Sequence, residues 1–189
     1  MRIEDGTGSG NKLKVDDHGR ALTLAIKFSH EAHHSSYHSD FYTVTADTIL
    51  AGTSETPCLI LVNDSDKDME IYWSTVAADS DVKLAYYVDS GYTSGGTEKT
   101  SVNMNRSSSL SASVTAYEGG ATANLVVDTT DELNIKTLYQ GANTHEDYDF
   151  KGALILPKNG SVVIKATGIA SDNVSVSLSY AFHTAGQRI

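Results

Sequence analysis

From Phe41 to Phe182 the chain is a succession of short β-prone runs cut by polar turns, and no stretch repeats apolar residues at helical spacing. That rhythm is the strongest constraint on the fold. Runs so short bury little as helices, but as strands they can pair and cover one another. The last run shows the period most clearly. Val174, Val176, Leu178, Tyr180 and Phe182 alternate with Ser175, Ser177 and Ser179, one face apolar and one polar. Within Thr56–Asn63 the residues Cys58-Leu59-Ile60-Leu61-Val62 are apolar without a break, which predicts a central strand buried on both faces. Further strands are predicted at Phe41–Thr45, Met69–Ala77, Val82–Asp89, Leu110–Tyr117, Asn124–Asp128, Ile135–Tyr139, Asp149–Leu156 and Ser161–Thr167. Asn63–Asp68 reads as a turn and Asp89–Gly96, rich in Ser, Gly and Tyr, as a loop. Pro157-Lys158-Asn159-Gly160 lies between two apolar runs and predicts a hairpin, because Asn-Gly accepts the left-handed backbone that tight turns need. The expected fold is all-β: an antiparallel β-sandwich, jelly-roll or another Greek key, with its strand order open.

The first forty residues have a different character and too few apolar side chains for a core of their own. Gly6, Gly8 and Gly10 alternate with Thr7 and Ser9, an extended segment that is costly to order alone. Asn11 to Val15 reads as a short strand, Asp16 to Gly19 as a turn, and Leu22, Leu24, Ile26 and Phe28 as one side of a half-buried strand. The expected organisation is an extended N-terminal arm, residues 1–20, on a sandwich body, residues 21–189. Such an arm suits docking on a neighbour by strand addition, with Gly6, Gly8, Gly10, Asn11, Lys12, Leu13 and Val15 as the expected contact residues.

Charge narrows the partners. The chain carries 14 basic and 24 acidic residues, a net charge of −10. That argues against nucleic acid, whose binding needs Lys and Arg on phosphates, and against an anionic membrane surface. No apolar run approaches the roughly 18 residues of a membrane span, and the N-terminus has no apolar leader region, so synthesis in the cytoplasm is expected. The lone Cys58 is expected to be a small buried hydrophobe, with no disulfide within one chain.

Residues able to carry chemistry are sparse. His30-Glu31-Ala32-His33-His34-Ser35-Ser36-Tyr37-His38 is the densest cluster. On a helix His30, His34 and His38 would share a face, which makes them weak metal candidates. The order is not His-Glu-x-x-His, so no general base stands where a metalloprotease needs one. A polar linker is the plainer reading, and a contact that titrates between about pH 7 and 5 is a third option. Asp64-x-Asp66-x-Asp68 resembles the start of a calcium loop, but Met69 stands where glycine is required. No phosphate loop, nucleophile elbow or nucleotide fingerprint is present. No cofactor and no enzymatic activity are expected. Tyr37, Tyr42, Tyr86, Tyr87, Tyr92 and Tyr117 fall in or near loops and strand ends, where tyrosine suits interfaces and sugar stacking.

Three stretches together resemble a group of tailed-bacteriophage virion structural proteins. They are Asp5 to Val15 followed by Arg20-Ala21-Leu22, then Gly95-Gly96-Thr97 leading to Val102-Asn103-Met104-Asn105-Arg106-Ser107-Ser108, then Leu156-Pro157-Lys158-Asn159-Gly160-Ser161, where that group more often has Pro-Gly. The resemblance implies a β-sandwich in the virion, assembled in the host cytoplasm. It implies a head decoration or cement protein on the major capsid protein or another virion protein, as a homotrimer. A neck, tail, baseplate or fibre component is the alternative within that group. A carbohydrate-binding adhesin module is the alternative outside it, since jelly rolls with loop aromatics bind sugars. No catalytic residue comes with the resemblance, and the histidines receive no role from it.

Overall fold

The structure, a computed structural model, describes residues 40–183, without the side chains at 151 and 152. Every regular element among them is a strand. In chain order these are β1 (Phe41–Ile49), β2 (Thr56–Asn63), β3 (Asp68–Ala78), β4 (Val82–Val88), β5 (Gly91–Ser94), β6 (Thr97–Glu98), β7 (Val102–Asn103), β8 (Val114–Glu118), β9 (Val126–Asp128), β10 (Leu133–Gln140), β11 (Thr144–Leu156), β12 (Ser161–Thr167) and β13 (Asn173–His183). One sheet has the order β11-β3-β13-β1-β7, a second β10-β4-β12-β2-β8-β6, and β5 pairs with β9 in a separate ribbon. The two large sheets pack as a β-sandwich. The alternating apolar faces of β1 (Tyr42, Val44, Ala46) and β13 (Val174, Val176, Leu178, Tyr180) meet Leu59, Leu61, Leu84, Tyr86, Val162 and Ile164 from the other sheet in one core. β2 lies between β12 and β8 and is almost wholly buried, the central strand its composition predicts.

Apart from β4 and β10, which pair with each other, consecutive long strands lie in opposite sheets, and this corrects the expected hairpin. Pro157–Gly160 is a turn, with Asn159 at φ 64° and Gly160 N–H donating to the Pro157 carbonyl at 2.8 Å. The strands it joins do not pair: β11 pairs with β3, and β12 with β2 and β4. Asn63, fully buried at the end of β2, draws the turn across. Its amide donates to the carbonyls of Leu156 (2.9 Å) and Lys67 (2.8 Å), and Asn159 N–H donates to its backbone carbonyl at 2.7 Å. Asn-Gly specifies a local backbone conformation, whereas the destination of each strand is settled by a long-range partner.

Residues 89–132, between β4 and β10, dress one side of the sandwich. They place β8 beside β2, β6 beside β8, and β7 beside β1, so both sheets end on that side in strands of two residues. Edges so short offer little to pair with. The same segment ties the two sheets together. Glu118 accepts from Asp47 N–H at 2.8 Å and from Lys99 Nζ at 2.9 Å, and Ala121 N–H donates to the Ile49 carbonyl at 2.8 Å. It then crosses the outer face of the six-stranded sheet, where Leu125 joins Ile60 and Val163 in a second apolar cluster, and Tyr92 stacks on Tyr117 at 4.2 Å. The expected loop at Asp89–Gly96 therefore contains β5, and the expected strand at Leu110 begins only at Val114. On the opposite side Tyr86, Tyr148 and Phe150 fill the space between the sheets, and β10 and β11 are the outermost strands among the described residues.

Burial of phenols and a thiol gives the sandwich a pH limit. Tyr86 donates to Ser74 Oγ at 3.0 Å and Tyr180 to Ser101 Oγ, and both rings are fully buried. Desolvation pushes Tyr86 up to about 12 and the Cys58 thiol up to about 12, and raises Tyr180 as well. In an unfolded chain these groups ionise near about 10 and 8.5. Above about pH 9 the unfolded state therefore releases protons that the folded state keeps, and stability falls as pH rises toward 12. Each group contributes a slope of up to about 1.4 kcal/mol per pH unit. The urea midpoint is expected to drop steeply between about pH 9 and 11, and less steeply in Tyr86→Phe; equal slopes would contradict the burial of this phenol.

Candidate functional site

Four connections gather at one end of the sandwich: residues 50–55, 79–81, 141–143 and 168–172. Their backbones are bonded to one another or to adjoining strand ends. Leu50 N–H donates to Asp172 (2.9 Å), Asp79 N–H to Asn173 (3.2 Å) and Asn143 N–H to Ala78 (2.9 Å). The β10–β11 turn is pinned by Asp81, whose carboxylate accepts from Ala142 N–H at 2.8 Å, and by the buried Gln140 amide donating to Thr144 Oγ1. Two open clefts border this turn. One, of about 330 Å³, is bordered by Asp79, Asn143, Thr144, His145, Asn173 and Ser175. The other, of about 450 Å³, is bordered by Asp81, Val82, Lys83, Tyr139, Gln140 and Thr167.

Tyr139 defines the larger cleft. It is 77% exposed, the most exposed large apolar side chain among the described residues, and it pairs across the ladder with Lys83. A ring face with a carboxylate, an ammonium and a hydroxyl at its margin can stack on a sugar and hydrogen-bond its hydroxyls. Sequence reading missed this residue. Its signal was the alternation of Leu138 and Gln140, which turn inward opposite Leu84 and Val82, with Tyr139, which must then point out.

A second grouping lies on the outer face of the five-stranded sheet. His183 Nε2 stands 2.6 Å from Glu70 Oε2, and the Tyr72 hydroxyl donates to the same oxygen at 3.3 Å. Beside them Phe41 packs against Tyr72 (5.5 Å) and Trp73 (5.3 Å). A register shift at Ser179/Tyr180 turns this part of β3: Trp73 opposes Ser179 and Ile71 opposes Tyr180, leaving Tyr72 as the extra residue. Glu70 and His183 are remote in sequence and meet only through the β3–β13 register, so spacing could not reveal them.

The residues singled out from sequence are distributed as follows. Gly6, Gly8, Gly10, Asn11, Lys12, Leu13 and Val15, the arm boundary at residue 20, the histidines His30, His34 and His38, and Tyr37 lie outside the described residues. Asp64 and Asp66 occupy a turn organised by Asn63, whose Oδ1 accepts from Ser65 N–H at 3.0 Å, and Asp68 opens β3. Asp64 accepts from Thr115 at 2.6 Å and Asp66 pairs with Lys158, which holds the Asp66 carboxyl below its usual range and raises the lysine. No three His, Cys, Asp or Glu side chains among the described residues are placed to share a metal ion. Tyr42 and Tyr86 are core residues rather than loop platforms. Tyr87 holds the Lys165 ammonium 4.3 Å from its ring centre and donates to Glu55 at 2.9 Å. No protein-family model, curated protein or solved structure matches the chain.

Proposed function

We propose that this chain is a non-enzymatic structural protein of a tailed-phage virion, a decoration protein that docks through its N-terminal arm on the major capsid protein and assembles as a homotrimer. In this reading the sandwich is a jelly roll. The eight long strands support that assignment: β1 pairs with β13, β2 with β12, β3 with β11 and β4 with β10, as in one long hairpin rolled up on itself.

One observation carries the reading. The segment that resembles phage virion proteins, Gly95 to Ser108, belongs to the insertion that shuts one side of the sandwich, and the opposite side keeps two long outer strands. Its glycines sit where only glycine fits. Gly95 and Gly96 have φ of 71° and 82°, and a Cβ on Gly95 would stand 2.1 Å from the Asn124 carbonyl oxygen. A module finished on one side and open on the other suits assembly more than enclosure of a small substrate. The test is the protein composition of purified particles, in which the chain must be present in many copies.

The Tyr139 cleft favours a second reading, a carbohydrate-binding module. In that case the body alone is sufficient for binding and the chain has no need of a particle.

A further inference from the structure

We propose that the outer edge of β10 receives residues Asn11–Val15 of a neighbouring copy as an added strand; this rests on the docking role given to the arm above. β10 is the last strand of its sheet among the described residues. It exposes Leu133 (61%), Ile135 (41%) and Tyr139 (77%). Its one charged residue, Lys136, is drawn inward, with its ammonium 5.0 Å from the centre of the Tyr148 ring. An edge strand that stays solvent-exposed is commonly protected by outward charges. β11, the outer strand of the other sheet, has that protection in exposed Glu146 and Asp147. β10 lacks outward charge, and the register shift at Asn134/Lys136 leaves Ile135 out of the pairing with β4.

The occupant follows from sequence and reach. Asn11-Lys12-Leu13-Lys14-Val15 alternates, so as a strand it sets Leu13 and Val15 on one face and Lys12 and Lys14 on the other. Leu138 and Gln140 turn inward, so Tyr139 lies on the outer face of β10, and the apolar face of the added strand is set on that side. The lysines match the acidic strip of β11 on the same side of the sandwich. The contact also offsets repulsion between copies that each carry a net charge of −10. Residues 16–39, fully extended, can span about 80 Å, whereas a body of this size has a radius of gyration of about 15 Å. An arm can therefore reach the far edge of an adjacent copy. Passing one arm to the next subunit is a heterologous contact that can close a ring.

Two full-length single variants test this, Leu13→Cys and Ile135→Cys. Ile135 is exposed and outside the sandwich core, and the native Cys58 is buried. Under mild oxidation the mixture is expected to give a covalent heterodimer, and neither variant alone a dimer. Its yield should fall several-fold at high salt and be lost when Leu133→Lys is added to the Ile135→Cys chain, with melting unchanged. A dimer from Ile135→Cys alone would mean that two β10 edges pair, and would overturn the proposal. So would an absence of cross-linking. The particle composition is measured separately. A chain present in particles but not cross-linking defeats the β10 pairing alone, and a cross-linking chain absent from particles defeats the virion role alone.

Discussion

Gly119→Ala is expected to cost at least about 3 kcal/mol. Gly119 follows β8, at the point where the insertion turns back against β2. Its N–H donates to the Cys58 carbonyl at 2.9 Å, and Gly120 N–H donates to the Pro57 carbonyl at 3.1 Å. A Cβ on Gly119 would stand 1.9 Å from the Pro57 carbonyl oxygen, so only backbone movement can admit it. Moving that backbone also breaks the Ala121–Ile49 bond, which joins this segment to β1 in the other sheet. Gly120, at φ 99°, has its own Cβ position 2.7 Å from the Ile49 carbonyl oxygen, so the strain cannot be passed along. Urea unfolding monitored by tryptophan fluorescence is the measurement. A loss below about 1 kcal/mol would mean that this side of the sandwich is not closed as described.

Lys165→Ala is expected to cost about 3 kcal/mol, and the double change Lys165→Met with Glu132→Gln to recover most of that loss. Lys165 extends from β12 onto the outer face of the six-stranded sheet. Its Nζ lies 2.6 Å from Glu132 Oε2, with side-chain exposures of 6% and 15%. Ser90 donates to the same carboxylate at 3.0 Å, and the Tyr87 ring lies 4.3 Å from the ammonium. Glu132 is the residue at which the insertion ends and β10 begins. Removing the lysine leaves that carboxylate desolvated without its cation, which costs more than the intact pair gains. The neutral pair keeps an acceptor for Ser90 and an apolar stem on Tyr87. A double-mutant cycle separates the two effects. Equal losses in Lys165→Ala and in the double variant, which keeps an apolar stem at 165, would show that the ion pair itself, and not an orphaned carboxylate, accounts for the effect.

The strands with a clear pattern were legible in the sequence. β2 and β12 match their predicted bounds and β13 extends its prediction by one residue at each end, because continuous apolar runs and strict alternation are direct consequences of burial on two faces or one. The first half of β11 was not legible. Thr144 to Asp149 is polar, and it is a strand because its backbone pairs with Ala78 to Trp73, a long-range fact with no local signature. The Pro157–Gly160 turn was legible as a turn and misread as a hairpin, since the bonds that redirect it come from Asn63 on another strand. Of the candidate site, the aromatic content was visible but its sorting was not. Tyr42, Tyr86 and Tyr180 are core rings and Tyr139 is a surface ring, and only the strand register separates them. The Glu132–Lys165 and Glu70–His183 pairs join residues far apart in the chain, which no spacing rule connects.

The proposed virion role makes this chain a part to be assembled, and particle composition tests that role most directly. If the proposed role holds, purified virions contain the chain at a fixed ratio to the major capsid protein, on the order of hundreds of copies, as capsid symmetry requires of a decoration protein. About six or twelve copies, as a single cyclic ring would give, would place it at the neck or tail instead of on the head. Absence of the chain from purified particles would contradict the account.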